Sequence, residues 1–435
     1  MTVAPPRAAH SAPSTEKRTE KGTEKCAADQ AARAARESYG RLLAWLAWQW
    51  RDIAAAEDAL ADAFATALER WPKDGVPASP EAWLLTVAKR NLLQVARRQR
   101  LADDPALRAM FPADDAAIEA PPAFPDDRLR LMLVCAHPAI DASIHSALML
   151  QVVLGLDAAR IASAFLVSAE AMTKRLTRAK AKIRDARIRF EEPVATDLAE
   201  RVQAVLEAIY GAYALDWNVE PDNAVSDLAD EAVYLAELVV AQLPQDAVAS
   251  AEALGLLALL WLCEARKGAR LSVAGEFVPL DRQDVQRWDR HLIGLAEQRL
   301  AQAAALQQPG PFQLEAAIQS AHCERATTGI TPWPGIVRLY GHLLAIAPTA
   351  GARIGHAIAT ANAQGDAAAG LALLEQMNAA GMDSHQPWWV ALAHLRARSG
   401  EREVAADAYE RALVLTREPA LQRYLAAELA QVRQL

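Results

Sequence analysis

Apolar residues recur every three or four positions along most of the chain, which is the spacing of amphipathic helices. In the first such stretch, residues 37–71, the repeating positions include Leu42, Leu46, Ile53 and Leu60. A long alternation of Val, Ile, Thr or Tyr with polar residues, which would indicate strands, does not occur anywhere in the sequence. The pattern therefore predicts an all-α protein.

Gly and Pro residues divide this helical pattern. The run WPKDGVPASP, Trp71–Pro80, contains residues that interrupt a helix, so the first helix should end there. Ser79 is suited to cap a new helix with Pro80 in its first position. That second helix should continue to about Arg100.

Composition along the chain predicts five segments. Polar residues and a repeated TEK triplet predict a disordered N-terminal arm, and a stretch rich in Pro, Asp and Ala predicts a linker. The last segment, about 240 residues of helix after helix, is long enough to bury a core of its own. In order, the segments are the arm 1–35, a helical domain 36–100, the linker 101–125, a second helical domain 126–192 and the extension 193–435.

The second helical domain contains a helix-turn-helix pattern. In GLDAARIASAFLVSAEAMTKRLTRAKAKI a first helix is followed by a short turn near Leu166–Val167. Ser168 is placed to cap the second helix.

A weak internal repeat lies near the end of the extension. Gly365 and Gly400 occupy matching positions, 35 residues apart. The later copy fits the tetratricopeptide (TPR) pattern of large, Leu, small, aromatic and Ala positions. These positions are Trp389, Leu392, Ala405, Tyr409 and Ala412.

Charge is unevenly distributed in this chain of 435 residues and net charge −8. Residues 170–190 hold eight basic and two acidic residues, whereas residues 191–260 hold fourteen acids and one base. Such a change in the sign of the charge indicates a domain boundary. The basic domain before it is suited to bind a polyanion.

Several function classes find no support in the sequence. The four cysteines contain no CxxC pair, which favours a reducing cytoplasm, and no signal peptide is recognisable. The longest apolar run, Ala253–Cys263, is too short to cross a membrane and predicts a buried helix. Scattered histidines form no metal or catalytic set, so neither a cofactor nor enzymatic activity is expected.

Two helices carry dense positive charge. The second helix of the helix-turn-helix presents Lys and Arg opposite an apolar face, as DNA-recognition helices do, although a merely solvated basic face has the same pattern. Its cations are Lys174, Arg175, Arg178, Lys180 and Lys182. A second cluster lies between Lys89 and Arg100 and follows Trp83 on one helix. Cations beside an aromatic residue suit a single strand of nucleic acid, although Trp83 fits equally well as a core anchor.

Three blocks, in order, resemble a known protein family. AEDALADAFATALERWPKDGVPASPEAWLLTVAKRNLLQVARR resembles region 2 of bacterial extracytoplasmic-function (ECF) sigma factors. DDRLRLMLVCAHPAI and the helix-turn-helix resemble their region 4. The runs EALGLLALLWLCEAR, VPLDRQDVQRWDRHLI and GPFQLEAAIQSAH resemble parts of a long C-terminal helical extension found in one subgroup. The resemblance implies two small helical sigma domains and a TPR-like helical domain. It also implies core RNA polymerase and promoter DNA as partners.

The resemblance further implies roles for individual residues. Asp58 and Asp62 correspond to positions that contact the polymerase, and their spacing of four puts both on one helix face. The loop Trp71–Ser79 corresponds to one that captures a flipped base of the −10 element. Residues expected at the −10 strands are Trp83, Lys89, Arg90, Asn91, Arg97 and Arg98. Residues expected at the −35 element are Thr173, Lys174, Arg175, Arg178 and Lys182.

The sequence departs from the family at two places. Arg90 and Gln94 stand where Asn and Asp are common, and YGAYALDWN stands where the extension commonly has NEGY. The acidic start of the extension leads to the hypothesis that it docks on one of the sigma domains and regulates it. The alternative is a TPR-containing helix-turn-helix regulator that acts without a sigma role. A third hypothesis, enzymatic activity in the extension, is supported by no sequence motif.

Overall fold

The computed structural model confirms an all-α protein. It describes residues 38–103, 126–165, 167–186, 188, 190, 193, 195–217, 228–243, 249–377 and 379–434. The predicted N-terminal arm and most of the predicted linker lie outside these residues. The described backbone is helical apart from turns, connecting segments and one isolated bridge between Leu271 and Phe277. The chain forms two compact units, residues 1–192 and 193–435.

In the described residues of the first unit, the first predicted helix is in fact two. Helix α1 covers residues 38–50 and α2 covers Ile53–Asp74. Between them Arg51 has a left-handed backbone with φ of 57°, which ends α1. Asp52 then caps α2 by accepting the N–H of Ala55. The apolar spacing continues across this break, which is why the sequence did not indicate it.

Helix α2 also continues one turn beyond the expected end at Trp71. Trp71 is buried and packs edge-to-face on Trp83 at 5.5 Å, which holds the last turn in place despite Pro72. Gly75, with φ of 85°, closes the helix by donating its N–H to the carbonyl of Trp71. The predicted loop Trp71–Ser79 is therefore shorter than expected. Helix α3, Pro80–Asp103, follows it and extends slightly past the predicted boundary at residue 100.

The second half of the first unit contains four short helices. They are α4 (Arg128–Cys135), α5 (Ala142–Val152), α6 (Ala158–Ala164) and α7 (Ala169–Asp185). Helices α6 and α7 contact each other across a short turn. Ser168 caps α7 by accepting the N–H of Ala171, as predicted.

The two halves of the first unit pack directly on each other. A Cβ at Gly40 of α1 would lie 2.0 Å from the carbonyl oxygen of Val153, so only glycine allows this approach. On the same side, Tyr39 lies over Gly155. Trp48 of α1 contacts Phe190, with ring centroids 6.1 Å apart. The two helical modules are therefore not independent bodies in this structure.

The second unit is a succession of helices in which neighbours along the chain contact each other. Its first five are α8 (Ala195–Trp217), α9 (Leu228–Gln242), α10 (Ser250–Lys267), α11 (Arg290–Ala305) and α12 (Pro311–Cys323). The remainder are α13 (Arg325–Thr328), α14 (Trp333–Ile346), α15 (Ala350–Gln364), α16 (Ala367–Glu375), α17 (Ala379–Met382), α18 (Gln386–Arg398), α19 (Arg402–Leu415) and α20 (Pro419–Gln434). Short 3₁₀ turns at Leu280–Arg282 and Val285–Arg287 precede α11.

The run Ala253–Cys263 forms the centre of α10, and most of its side chains are buried, as predicted for a core helix. Further along, Gly365 and Gly400 both have positive φ, 68° and 80°, and both lie in the turn between two packed helices. Ala405, Tyr409 and their partners from α15 to α20 form one apolar core. A TPR-like character of this region stays a prediction.

Candidate polymerase and nucleic-acid interfaces

The exposed side of α2 carries acidic residues. Asp58 and Asp62 are both exposed and lie one helical turn apart. Leu68, further along the same helix, keeps 51% of its surface exposed. The opposite face, including Leu60 and Ala63, is buried in the unit. Two carboxylates on one face of a rigid helix, with an exposed Leu nearby, suit a partner that carries Arg or Lys around an apolar contact.

Helix α3 presents two arginines along one exposed face. Arg90, Gln94 and Arg97 are exposed at spacings of four and three, so they lie along one face. Lys89 is half-buried, with its Nζ 4.4 Å from the centroid of the Trp45 ring. Desolvation there lowers the pKa of Lys89. Among the α3 cations whose side chains the structure describes, Arg90 and Arg97 are thus accessible, whereas Lys89 is held against an aromatic ring.

Two of the other predicted residues of this helix point toward the protein. The side-chain amide of Asn91 lies 3.5 Å from the carbonyl oxygen of Ala59 and ties α3 to α2. Trp83 is half-buried against Trp71. The contact of Trp83 supports the alternative in which this residue is a core anchor, and the sequence had not indicated a contact of Asn91 with α2. The side chain of Arg98 lies outside the described residues.

Helix α7 exposes a basic face next to the start of α5. Arg178 and Lys182 are exposed, and with Arg175 they line a hollow of about 420 Å³ beside Asp141 and Ser143. Arg175 donates to the Ser143 hydroxyl at 2.8 Å, which fixes its guanidinium at the rim. Among the residues that the structure describes, Arg178 and Lys182 have no acidic partner. Their charge is therefore available to phosphate groups.

In the first turns of α7, the polar side chains form contacts within the helix itself. Lys174 pairs with Glu170 at 2.6 Å on the exposed surface, an interaction worth only a few tenths of a kcal/mol in general. The Thr173 hydroxyl donates back to the carbonyl of Ala169. Both side chains remain exposed at the start of the helix.

The opposite side of α7 carries a contact that the sequence did not indicate. Lys180 was grouped with the DNA-facing cations, but its Nζ lies 2.6 Å from a carboxylate oxygen of Glu57 on α2. The two side chains are only 16% and 17% exposed. Burial raises the pKa of Glu57, and the hydrogen bond and charge of Lys180 oppose that rise. Lys180 thus joins the two modules of the first unit and is not available on the basic face.

Glu57 was missed because its partner lies 123 residues away along the chain. The only local signal is its position directly before Asp58, which places it about a quarter-turn away from the exposed acidic face.

A metal site requires several clustered ligands, and a membrane-spanning helix requires a long apolar segment. Within the described ranges, no group of three His, Cys, Asp or Glu side chains is arranged to hold a metal ion. None of the helices described has the length and apolarity needed to span a bilayer.

Comparison with known proteins divides the chain in a similar way. Residues 35–102, which contain α1 to α3, match the family described as sigma-70 region 2. Residues 201–304, in the second unit, match a family of unknown function (DUF6596).

A longer similarity covers most of the chain. An uncharacterized protein of Rhizobium meliloti (strain 1021) is 36% identical over 336 residues, which represent 75% of this chain and 78% of that protein. No solved structure matches the chain.

Proposed function

Because the chain belongs to the same family as the Rhizobium meliloti protein and joins a sigma-70 region 2 domain to a DUF6596 domain, we propose that it is a sigma factor of the ECF type. It binds core RNA polymerase, directs it to promoters and assists in opening them. The observation that carries this proposal is the sigma-70 region 2 match over residues 35–102. Sigma factors are not enzymes, and the polymerase supplies the chemistry. The protein would act in the bacterial cytoplasm, where polymerase and promoters are found.

The polymerase contact is assigned to the acidic face of α2. Asp58 and Asp62 are exposed, and the core of the unit holds the helix rigidly behind them. Rigid carboxylates lose little entropy when they pair with Arg on a partner. Leu68, six residues beyond Asp62 and exposed, offers an apolar contact further along the helix.

The −10 element is assigned to α3 and to the short loop that precedes it. Arg90 and Arg97 are exposed along one face and can pair with the phosphates of a melted strand. Trp83, Lys89, Asn91 and Arg98 complete the proposed set, although the first three also contact the protein itself.

The −35 element is assigned to α7, as the second helix of a helix-turn-helix region 4. Arg178 and Lys182 supply unpaired positive charge, and Arg175 is fixed at the rim of the same hollow. Thr173 and Lys174 lie at the exposed N-terminal end, where recognition helices meet base edges. The proposed TPR-like extension would regulate access to these surfaces by docking on the first unit.

The polymerase assignment is tested by the affinity of fluorescently labelled protein for core RNA polymerase. The double variant Asp58→Asn/Asp62→Asn should bind at least about tenfold more weakly, since each charge-assisted contact contributes about 1 kcal/mol or more. Asp74→Asn, at the far end of the same helix, is the matched control and should bind like the wild type. Equal affinity in all three proteins would contradict the assignment.

The −35 assignment is tested by salt dependence. In the polymerase complex, Arg178→Ala/Lys182→Ala should reduce the slope of log affinity against log salt by about two, because two phosphate contacts are lost. A slope that does not change would remove α7 from the DNA interface. Tight binding of the free protein to a palindromic duplex would instead favour a regulator that acts without polymerase.

Regulation by the extension is tested by deleting residues 191–435 and measuring promoter-dependent transcription. A change in activity or in its response to conditions is expected. Identical behaviour of the shortened and full-length proteins would refute the regulatory role.

A further inference from the structure

The second unit contains a cavity of about 820 Å³ that is partly open to solvent. Its walls come from helices α12, α13, α14, α15, α18, α19 and α20 and from the segment that includes the first 3₁₀ turn. This volume is in the range of pockets that bind organic molecules of a few hundred daltons. Neither family match assigns a ligand to this unit.

Most of the wall is apolar and aromatic. Trp333 and Tyr340 line one side, and Tyr409 and Tyr424 line the other. Aliphatic side chains of α15 and α18 complete the surface, Ile354, Ile358, Val390 and Ala391. A surface of this kind binds the apolar or aromatic body of a ligand.

The shape of the cavity is fixed by contacts between distant parts of the chain. Arg282 pairs with Glu428 of α20 at 3.1 Å, across 146 residues of sequence. Phe277 meets Tyr424 with ring centroids 5.4 Å apart. Arg423 donates to the carbonyl of Gly275 at 3.0 Å. The last helix therefore packs against the start of the cavity wall, and these contacts define the shape of the cavity.

The charge on the wall is positive and only partly compensated. Three arginines line the cavity, Arg282, Arg325 and Arg398, against one carboxylate, Asp281. Arg282 is neutralised by Glu428, whereas Arg325 donates to the carbonyls of Leu280, Asp281 and Gln283. Arg398 donates to the side-chain oxygen of Asn362 at 2.8 Å, which is a neutral partner.

In the described part of the chain, neither Arg325 nor Arg398 forms an ion pair. Arg398 is also exposed, so its remaining donors can reach a ligand at the mouth of the cavity. An anionic group there would gain charge-assisted hydrogen bonds.

The two histidines of the wall do not add to this charge near neutral pH. Burial and the nearby Arg266 and Arg325 lower the pKa of His322 to about 4. Burial is also the main cause that lowers the pKa of His394. The cationic character of the cavity therefore comes from arginine alone and should not change near neutral pH.

We propose that this cavity binds a small organic anion, with an apolar or aromatic body between the tyrosines and a carboxylate, sulfonate or phosphate on Arg398. This binding function goes beyond the proposed sigma role and does not depend on it. It would give the extension a chemical signal to sense.

The proposal is tested on the full chain with two fluorescent probes of nearly the same shape. 8-Anilinonaphthalene-1-sulfonate carries one negative charge, and N-phenyl-1-naphthylamine carries none. We expect the sulfonate to bind at one site per chain, with a dissociation constant on the order of 10 µM. Its affinity should be constant between about pH 7 and 8, since both histidines have lowered pKa values and stay neutral there.

Three variants locate the site. Arg398→Met should weaken sulfonate binding by about tenfold and leave the neutral probe almost unchanged. Arg338→Met removes an exposed arginine of α14 outside the cavity and should have no effect. Val390→Trp fills the cavity and should abolish binding of both probes. Thermal unfolding of each variant verifies that the fold is retained.

Two results would overturn the proposal. One is the lack of a saturable one-to-one site for the sulfonate in a folded protein. The other is sulfonate binding that survives both Arg398→Met and Val390→Trp, because the probe would then occupy a different surface. Neither result depends on polymerase or promoter DNA, so the sigma role is tested separately.

Discussion

Gly40 sits at the tightest contact between the two modules of the first unit. Replacing it with Ala would place a methyl group 2.0 Å from the Val153 carbonyl oxygen, and backbone atoms on both sides would have to move. We expect Gly40→Ala to lower the free energy of unfolding of this unit by about 1–3 kcal/mol. Thermal or urea unfolding of the full chain measures this change.

The control for this substitution is Gly211→Ala in α8. Beyond its own helix backbone and chain neighbours, no atom of the described residues lies within 4 Å of the position of its Cβ, so Ala should be neutral or stabilise by about 0.4–1 kcal/mol. If Gly40→Ala stabilised its unit to a similar extent, the close approach of α1 to Val153 would be wrong.

The burial of His322 predicts that the stability of the folded protein depends on pH. Its pKa is lowered from 6.5 to about 4, mainly by burial, so the unfolded chain binds this proton more tightly than the folded one. The resulting stability is fully present above pH 6.5 and is lost as the pH falls toward about 4, by an amount on the order of 3 kcal/mol.

A variant isolates this effect. His322→Phe keeps an aromatic ring against Trp333 but cannot titrate. The melting temperature of the wild type should therefore drop relative to that of the variant as the pH is lowered from about 7 to 5. A constant difference across this range would show that His322 is not buried in its neutral form.

For single residues, the sequence predicted which side chains are exposed better than it predicted which residues contact each other. The spacing of Asp58 and Asp62 placed both on one face of α2, and the structure exposes both. Lys180 was grouped with its basic neighbours because helical spacing cannot show a partner 123 residues away. Asn91 and Trp83 have polar or aromatic character that suits either nucleic acid or the protein interior, and only packing distinguishes the two.

At the scale of elements, α2 and α7 are joined by the ion pair between Glu57 and Lys180. Removing one partner leaves a half-buried charge, so Glu57→Gln and Lys180→Met should each destabilise the first unit by about 1–3 kcal/mol. The double variant should lose less than the sum of the two, with a coupling of about 1 kcal/mol. A double-mutant cycle in urea measures this coupling.

The matched control is the exposed pair of Lys174 and Glu170 on the same helix. Those side chains are 62% and 77% exposed, so their coupling should be about 0.2–0.5 kcal/mol. If the two cycles gave equal couplings, the contact between α2 and α7 would be no tighter than a surface ion pair.

Helix type could be predicted from the sequence, whereas some ends could not. Apolar spacing identified the all-α class, and Ser168 and Pro80 marked the starts of α7 and α3. The break at Arg51 was missed because the apolar period continues through it. The end of α2 was placed too early because the burial of Trp71 allows Pro72 to lie in the final turn.

At the scale of the whole molecule, the second unit is closed by contacts between its final helix and a segment far earlier in the sequence. Glu428→Gln would weaken the pair with Arg282 and loosen residues 271–282. Hydrogen exchange in this segment should become about threefold faster, which corresponds to roughly 0.7 kcal/mol. Glu410→Gln, which breaks the exposed pair with Arg433, should leave exchange there unchanged. Equal exchange in wild type and Glu428→Gln would contradict the closure.

The change of charge at residue 191 coincides with the division between the two units, and it could be recognised from the sequence. The closure of the second unit could not, because its contacts join residues nearly 150 positions apart. Because these long-range contacts form part of the cavity wall, no local sequence motif predicted the cavity.

The central claim is that this chain directs polymerase to promoters. The most direct measurement is run-off transcription by purified bacterial core RNA polymerase on a library of promoter sequences, with and without the full-length protein. We predict that initiation at a defined subset of sequences requires the protein and is lost with Asp58→Asn/Asp62→Asn. Transcription that is the same with and without the protein on every template would contradict the claim.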